Sequence, residues 1–216
     1  MKRREFSAVL ATGALGAASM LGSARAQGGP PVEGKDYVKL GTPLPATSSG
    51  KIEVVEFFWY GCPHCSAFEP TLDAWSKKLP ADVSFRRIPV AFRDEPYVAH
   101  QRIYFALDEM KLTDTMHRKV FAAIHVQGQR LDKEADIVAL MSANGIDAAK
   151  FTEAFKSFST QTKVKQGKSL SEAYKIDGVP ALGVHGRFYT SGSLAGTNEK
   201  ALAVADFLIQ RSRSAT

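Results

Sequence analysis

The sequence predicts an α/β fold with an inserted all-helical domain, and three observations support this. From residue 54 to residue 60, β-branched and aromatic residues follow one another with almost no polar alternation, which is typical of a strand buried on both faces. Apolar residues at helical spacing begin directly after it, at residue 62. From residue 95 to residue 158 the periodicity is helical throughout. A unit of sheet and helices is therefore interrupted by a block of helices.

The other elements follow from periodicity and turn residues. Strand patterns cover residues 37–40, 83–90, 181–184 and 187–190, and the last two have the short turn of a hairpin between them. Within the helical block, four helices are expected over 99–110, 113–125, 134–143 and 147–158. Two more are expected over 161–176 and 198–211. Pro70 lies inside the helix that starts at residue 62 and should kink it.

The amino terminus has the pattern of a secretory signal peptide. Lys2, Arg3 and Arg4 precede a short apolar stretch over 8–21, and Ala24-Arg25-Ala26 has the form of a cleavage site. Residues 1–26 are therefore assigned to a signal peptide and residues 27–36, rich in glycine and proline, to a flexible leader. The arginine pair leaves both the general secretory route and the twin-arginine route open. Export would place the protein in an oxidising compartment.

The charge of the chain is mild. Of the formal net charge of +6, the segment before residue 27 accounts for half, so about +3 remains on the mature chain. The remaining basic residues are spread along predicted helices, as expected for solvated faces. Nothing in this balance calls for a nucleic acid or a membrane surface as a partner.

Cys62-Pro63-His64-Cys65 follows the buried strand and contains both cysteines of the chain. Cys62 should lie at the amino terminus of a helix, where unpaired N–H groups and the helix dipole favour a thiolate, and Pro63 suits the first turn. Cys65, one turn further, should be less exposed and act as the internal partner of Cys62. His64, if protonated, adds a positive charge beside the thiolate.

Two other interpretations of the cysteine pair remain open. It could be a structural disulfide, or it could contribute half of a zinc site. A zinc site needs about four ligands, and the chain has no third cysteine. The strand, Cys-x-x-Cys and helix in succession favour a thioredoxin-like redox motif over both.

Four short segments carry a closer resemblance: Glu56-Phe57-Phe58, Cys62-Pro63-His64-Cys65, Phe68-Glu69 and Gly178-Val179-Pro180-Ala181. Together they resemble the DsbA family, the periplasmic thiol–disulfide oxidases of Gram-negative bacteria. The resemblance implies a thioredoxin-like fold with an inserted all-helical domain. We assign residues 37–94 and 159–216 to the thioredoxin-like domain, and residues 95–158 to the insertion.

Glu56 places a carboxyl group in a strand that is otherwise apolar. Burying it charged and unpaired would cost several kcal/mol, so we expect it to be paired, protonated or functional. The resemblance implies a buried acid that moves protons during thiol exchange. Arg87, at the corresponding place in the next strand, is a candidate partner, although the family usually has lysine there. The alternative is a partly exposed strand residue.

Pro180 is expected from the resemblance to follow a cis peptide bond. The backbone of Val179 would then face Cys62 and offer hydrogen bonds to an extended substrate, with Val179 as a specificity position. From the residues alone, an ordinary proline at the entry to a strand is an equal alternative. The histidines at 100, 117, 125 and 185 lack ligand spacing and are assigned to the surface or the core, so no metal site is expected.

The resemblance implies an enzyme that donates the Cys62–Cys65 disulfide to unfolded exported proteins with free cysteines in the periplasm. It also implies reoxidation by a quinone-linked membrane partner of the DsbB type, with no bound cofactor, and we expect a monomer. A periplasmic disulfide reductase or isomerase on the same scaffold is one alternative, although an isomerase would normally need a dimerisation domain. The other is a thiol- or metal-binding module without enzymatic activity.

Overall fold

The computed structural model describes residues 29–45 and 50–214. Five strands form one mixed sheet in the order β1, β5, β4, β2, β3. Only β2 and β3 pair in parallel; the other neighbours are antiparallel. The strands are β1 (Val38–Lys39), β2 (Ile52–Phe58), β3 (Val83–Pro89), β4 (Ala181–Val184) and β5 (Phe188–Ser191).

Helices cover both faces and one end of this sheet. In chain order they are α1 (Pro63–Ser76), α2 (Tyr97–Glu109), α3 (Thr113–His125), α4 (Glu134–Ala143), α5 (Ala148–Lys156), α6 (Phe158–Ala173), α7 (Gly192–Ala195) and α8 (Asn198–Arg213). The predicted fold class is confirmed, because α2 to α5 form a continuous helical block between β3 and α6. None of the helices in the described ranges has the length and apolar character needed to cross a bilayer.

β2 lies inside the sheet, and all seven of its residues are buried. Successive side chains of a strand point to opposite faces. Val54 accordingly packs with residues of α1 and α8, whereas Val55 and Phe57 pack with Tyr174 at the end of α6. Glu56 shares its face with Val54, so its carboxyl group is directed toward the side covered by α1.

The helical block and the cysteines share one hydrophobic core. Phe58, Tyr60, Cys62 and Cys65 belong to the same buried cluster as the inner faces of α2 to α5. The insertion therefore covers the end of β2 and the start of α1. The cysteine pair lies where the two parts of the molecule meet.

Several details differ from the sequence prediction or fall outside it. The signal peptide lies outside the described residues, as do the first two residues of the leader. Between Val32 and Tyr37 the chain makes a hydrogen-bonded turn. Nη2 of Arg211 in α8 lies 3.7 Å from Oε2 of Glu33 in this turn. α6 begins at Phe158, earlier than periodicity indicated, because Ser157 caps it through a hydrogen bond from Thr160 N–H. The flexibility of the leader and the domain boundaries stay predictions.

Gly183 in β4 lies against the ring of Tyr174, and a Cβ at this position would be 2.5 Å from Cε1 of that ring. Tyr174 is held by an edge contact with Phe57 and by the N–H of Gly186, which donates to its hydroxyl at 2.9 Å. We predict that Gly183→Ala lowers the free energy of unfolding by roughly 1–3 kcal/mol, since a fixed ring must shift.

Urea unfolding of the purified variant measures this loss. Gly41→Ala is the matched control, because a Cβ there would meet no atom within 4 Å. Equal stability of the two variants would contradict the proposed packing of Tyr174.

Candidate active site

Cys62 caps the amino terminus of α1. Its own N–H donates to the carbonyl of Trp59 at 3.0 Å, which closes the turn after β2, and Pro63 takes the first helical position. Its sulfur accepts a hydrogen bond from Cys65 N–H at 3.4 Å. The sulfur therefore occupies the place of an N-cap oxygen, next to N–H groups that have no partner within the helix.

The two sulfurs have opposite electrostatic environments. The pKa of Cys62 is lowered to about 6, first by a hydrogen bond from the Cys65 thiol and then by the N–H groups of Cys65 and His64 and the positive charge of His64, against an opposing effect of burial. Burial raises the pKa of Cys65, which has no exposed surface. Both cysteines are reduced in the structure. Cys62 is thus suited to be the thiolate, and Cys65 a thiol that needs a proton.

The loop before β4 lies against Cys62. The Val179–Pro180 peptide bond is cis, and the Cys62 thiol donates to the Val179 carbonyl at 3.5 Å. A cavity of about 480 Å³ opens beside this contact. Its walls are His64, the loop over 176–181, and residues of β5 and of the segment after it, up to 198. The structure thus places His64 and the proline loop around one open groove, and Val179 of that loop contacts the Cys62 sulfur.

Beneath the cysteines lies a buried ionic cluster. Glu56 and Arg87 are direct neighbours in the parallel register of β2 and β3. Arg87 donates from Nε to Glu56 at 3.0 Å and from Nη2 to Glu69 of α1 at 2.9 Å. Burial raises the pKa of Glu56 to about 8, although the charge of Arg87 opposes the change. The alternative of a partly exposed Glu56 is wrong, because the residue is only 1% exposed.

The cluster continues into the helical insertion through His117 of α3. The Nε2 atom of His117 lies 3.4 Å from Oε2 of Glu69, and Nδ1 lies 2.9 Å from the hydroxyl of Tyr60. Both His117 and Tyr60 are buried. His117 was expected on the surface or in the core, and the structure places it in the core beside the polar groups of Glu69 and Tyr60.

Glu56, Glu69 and His117 are the one group within the described ranges whose ligand atoms lie close enough to hold a metal, within 4.8 Å of one another. The guanidinium of Arg87, however, already donates to both carboxylates. A fixed positive charge at this place repels a second cation. The donor set fits an internal ion pair better than a metal centre.

The helical insertion also holds the turn that carries Cys62. Trp59 stacks on Tyr97 of α2 with ring centroids 4.1 Å apart, and the Tyr60 carbonyl accepts a hydrogen bond from Nε2 of His125 at 2.8 Å. Gly61 is required here, since a Cβ would lie 2.3 Å from the Trp59 ring. Two consecutive residues of the turn, Trp59 and Tyr60, are therefore held by the helical insertion, and Gly61 leaves room for the Trp59 ring.

Sequence reasoning missed Glu69, His117 and Tyr60 as members of the site. The position of Glu69 carried a usable clue, because it follows Cys65 by four residues and so shares a face of α1 with it. His117 and Tyr60 carried none, since each fits an apolar pattern in its own element.

Comparison with known proteins gives consistent results. Residues 53–198 match the family model described as DSBA-like thioredoxin domain. A relative from Pseudomonas syringae pv. tomato, named thiol:disulfide interchange protein DsbA, is 42% identical over 208 residues and covers 96% of each chain. The protein of that name from Bordetella pertussis is 41% identical over 215 residues, covering 99% of this chain and all of its own.

Solved structures agree with the sequence relatives. The crystal structure of Pseudomonas aeruginosa DsbA superposes with a TM-score of 0.81 at 41% identity, over 84% of this chain and 94% of that one. NmDsbA1 from Neisseria meningitidis gives 0.75 at 28% identity, over 85% and 94%. With its Cys-x-x-Cys pair at the start of α1, the chain belongs to the DsbA family of thioredoxin-like thiol:disulfide oxidoreductases.

Proposed function

We propose that this oxidoreductase works as an oxidase, donating the Cys62–Cys65 disulfide to exported proteins with free cysteines. The observation that supports this direction is the placement of the Cys62 sulfur at the start of α1. Hydrogen bonds and positive charge there stabilise a thiolate, which exists only in the reduced protein. Whatever stabilises the reduced form makes the disulfide a stronger oxidant.

The reaction consists of two exchanges. A client thiolate attacks the Cys62 sulfur, a bond forms between client and Cys62, and Cys65 leaves with the electron pair. A second client thiolate then attacks the client sulfur of this mixed disulfide, and Cys62 leaves as a thiolate. The client gains a disulfide and loses two electrons, and the protein gains them as two reduced cysteines.

Glu56 serves as the proton source for Cys65 in the first exchange. Cys65 leaves as a thiolate in a buried place that disfavours its charge. The pKa of about 8 keeps Glu56 protonated at neutral pH, and its charge, when present, raises the pKa of Cys65 further. Transfer of the proton from Glu56 to Cys65 therefore moves the negative charge from the buried sulfur to a carboxylate that accepts a hydrogen bond from Arg87.

The groove beside Cys62 suits an extended client chain. Val179 has a carbonyl facing the sulfur and is only half-buried, so its backbone can pair with a client segment, and its side chain can contact the client residue beside the cysteine. Pro180 fixes the direction of this backbone and gives no competing N–H. His64 also lines this groove, and Pro63 precedes it in the first turn of α1.

The remaining steps are export of the protein and reoxidation of its cysteines. The basic and apolar amino terminus supports export to the periplasm, and the relatives' shared name supports exchange of thiols and disulfides. We propose that the protein works there as a monomer. Reoxidation is assigned to a quinone-linked membrane partner of the DsbB type. That partner would accept two electrons from Cys62 and Cys65, so no cofactor bound to this chain is needed.

The direct test is transfer to a client. The oxidised protein, mixed with an equal amount of a reduced, unfolded protein that has two cysteines, should lose its disulfide as the client gains one. Thiol alkylation followed by mass spectrometry counts both products. Cys62→Ser should be inactive, and Cys65→Ser should stop at a mixed disulfide through Cys62. A client that stays reduced, or adducts through Cys65, would contradict the proposal.

A second prediction concerns the thiolate itself. The Cys65 thiol is the main donor that lowers the pKa of Cys62, so Cys65→Ala should raise that pKa by about one unit or more, since hydrogen bonds to charged groups contribute roughly 1.5–3 kcal/mol. The rate of iodoacetamide alkylation of Cys62 as a function of pH measures it.

Cys65→Ser is the matched control, because its hydroxyl can still donate to the sulfur. The serine variant should remain closer to the reduced wild-type protein than the alanine variant does. If both substitutions leave the Cys62 pKa where it is, the helix terminus alone sets it and the role given to Cys65 is wrong.

A further inference from the structure

His117 is buried among aromatic rings, and one of its ring nitrogens faces a carboxylate oxygen. The ring is 4% exposed and is surrounded by the aromatic rings of Phe58, Tyr104 and Phe121, at centroid distances of 5.0–5.8 Å. Its Nε2 atom and Oε2 of Glu69 have no other hydrogen-bond partner, and they lie 3.4 Å apart. Two buried polar atoms facing each other in this way require a proton between them.

This requirement assigns the tautomer of His117. With the proton on Nε2, the ring donates to Glu69, and Nδ1 is free to accept from the Tyr60 hydroxyl at 2.9 Å. With the proton on Nδ1, a lone pair of Nε2 would face the carboxylate, and the Tyr60 proton would lose its acceptor. The Nε2–H form satisfies all of these atoms, so His117 is a neutral donor to Glu69.

The two carboxyl groups of the cluster then differ in their number of donors. Glu69 accepts from Nη2 of Arg87 and from Nε2 of His117, whereas Glu56 accepts from Nε of Arg87. One buried cation cannot keep two adjacent carboxylates fully ionised, so the pair holds one exchangeable proton. That proton belongs on Glu56, the carboxyl group that accepts fewer hydrogen bonds.

We propose that His117 is a positioning residue, which donates to Glu69 and thereby leaves the shared proton on Glu56, where Cys65 can take it. The inference rests on the proposed role of Glu56 as the proton source. It adds a residue of the helical insertion to the chemistry of the cysteine pair. It also gives Glu69 a role, as the carboxylate that competes with Glu56 for Arg87.

The other titratable groups around this cluster are either kept neutral by burial or lie on α1 and α2 as more distant charges. Burial raises the pKa of Tyr60 and of Tyr104, so both stay neutral hydroxyls, and burial lowers the pKa of His117, so it stays a neutral ring. The remaining charges that influence the cluster come from Cys62 and Asp73 of α1 and Asp108 of α2. The cation that faces both carboxylates is Arg87.

The test follows the first exchange, in which Cys65 leaves. An aromatic thiol that is fully ionised above about pH 7 attacks the oxidised protein, and the single-turnover rate is measured against pH. In the wild-type chain the rate should fall as pH rises through the Glu56 pKa of about 8, because the proton source is lost. Glu56→Gln should abolish this fall.

His117→Leu removes the donor to Glu69, so the shared proton is divided between the two carboxyl groups and fewer molecules hold it on Glu56. The rate below the fall should drop by up to about tenfold, but the fall should not move to lower pH, because the fully ionised pair loses the same donor. His117→Gln keeps an N–H that can reach Glu69 and should restore most of the wild-type profile. Thr115→Val, on the same helix, loses a hydroxyl that donates to the Leu112 carbonyl but touches neither carboxylate, so both the rate and the pH of the fall should stay in place.

Glu69→Gln provides an independent variant if His117→Leu does not fold. It removes the negative charge that raises the Glu56 pKa, so in this variant the fall should move to lower pH. The rate loss caused by His117→Leu should vanish in a Glu56→Gln background, because no proton source is left to displace. An equal loss in both backgrounds, or an unmoved fall in Glu69→Gln, would overturn the inference. If Glu56→Gln itself leaves the fall unchanged, the role proposed for Glu56 fails instead, which separates the two results.

Discussion

The chemistry of this protein depends on where the chain leaves the sheet. β2 is buried on both faces, so its end is fixed, and the turn after it places the Cys62 sulfur at the first N–H groups of α1. Trp59 and Tyr60 are held by the helical insertion, which prevents the turn from relaxing. The pKa of Cys62 is low first because this geometry brings the Cys65 thiol to its sulfur, and then because backbone N–H groups at the helix start point at it.

The buried charges beneath the cysteines complement this arrangement. A cation and two carboxylates in a core would be costly if any one of them lacked a partner. Here the partners come from different elements: Glu56 from β2, Arg87 from β3 and Glu69 from α1, with Nε2 of His117 in α3 lying 3.4 Å from Oε2 of Glu69. The cluster thus joins the sheet, the active-site helix and the insertion, and we propose that it supplies the proton that the buried sulfur of Cys65 requires.

Much of this could be predicted from the sequence, because local patterns determine it. The buried strand, the position of Cys62 at a helix start and the β4–β5 hairpin follow from periodicity and turn residues. The pairing of Glu56 with Arg87 followed from their matching places in adjacent strands. His117 could not be found in this way, since its partners lie in α1 and β2 and its own spacing fits an apolar face. The position of the Val179 carbonyl came from family resemblance alone, because the residues equally fit an ordinary proline at a strand entry.

The most direct test of the account is the equilibrium of the Cys62–Cys65 pair with glutathione. Protein equilibrated in buffers of varied reduced and oxidised glutathione is quenched with acid, alkylated and analysed for its two redox forms. A stabilised Cys62 thiolate predicts a reduction potential more positive than that of glutathione, so that small amounts of reduced glutathione suffice to open the disulfide. A pair that stays oxidised in a large excess of reduced glutathione would contradict the account and would indicate a reductase or a structural disulfide.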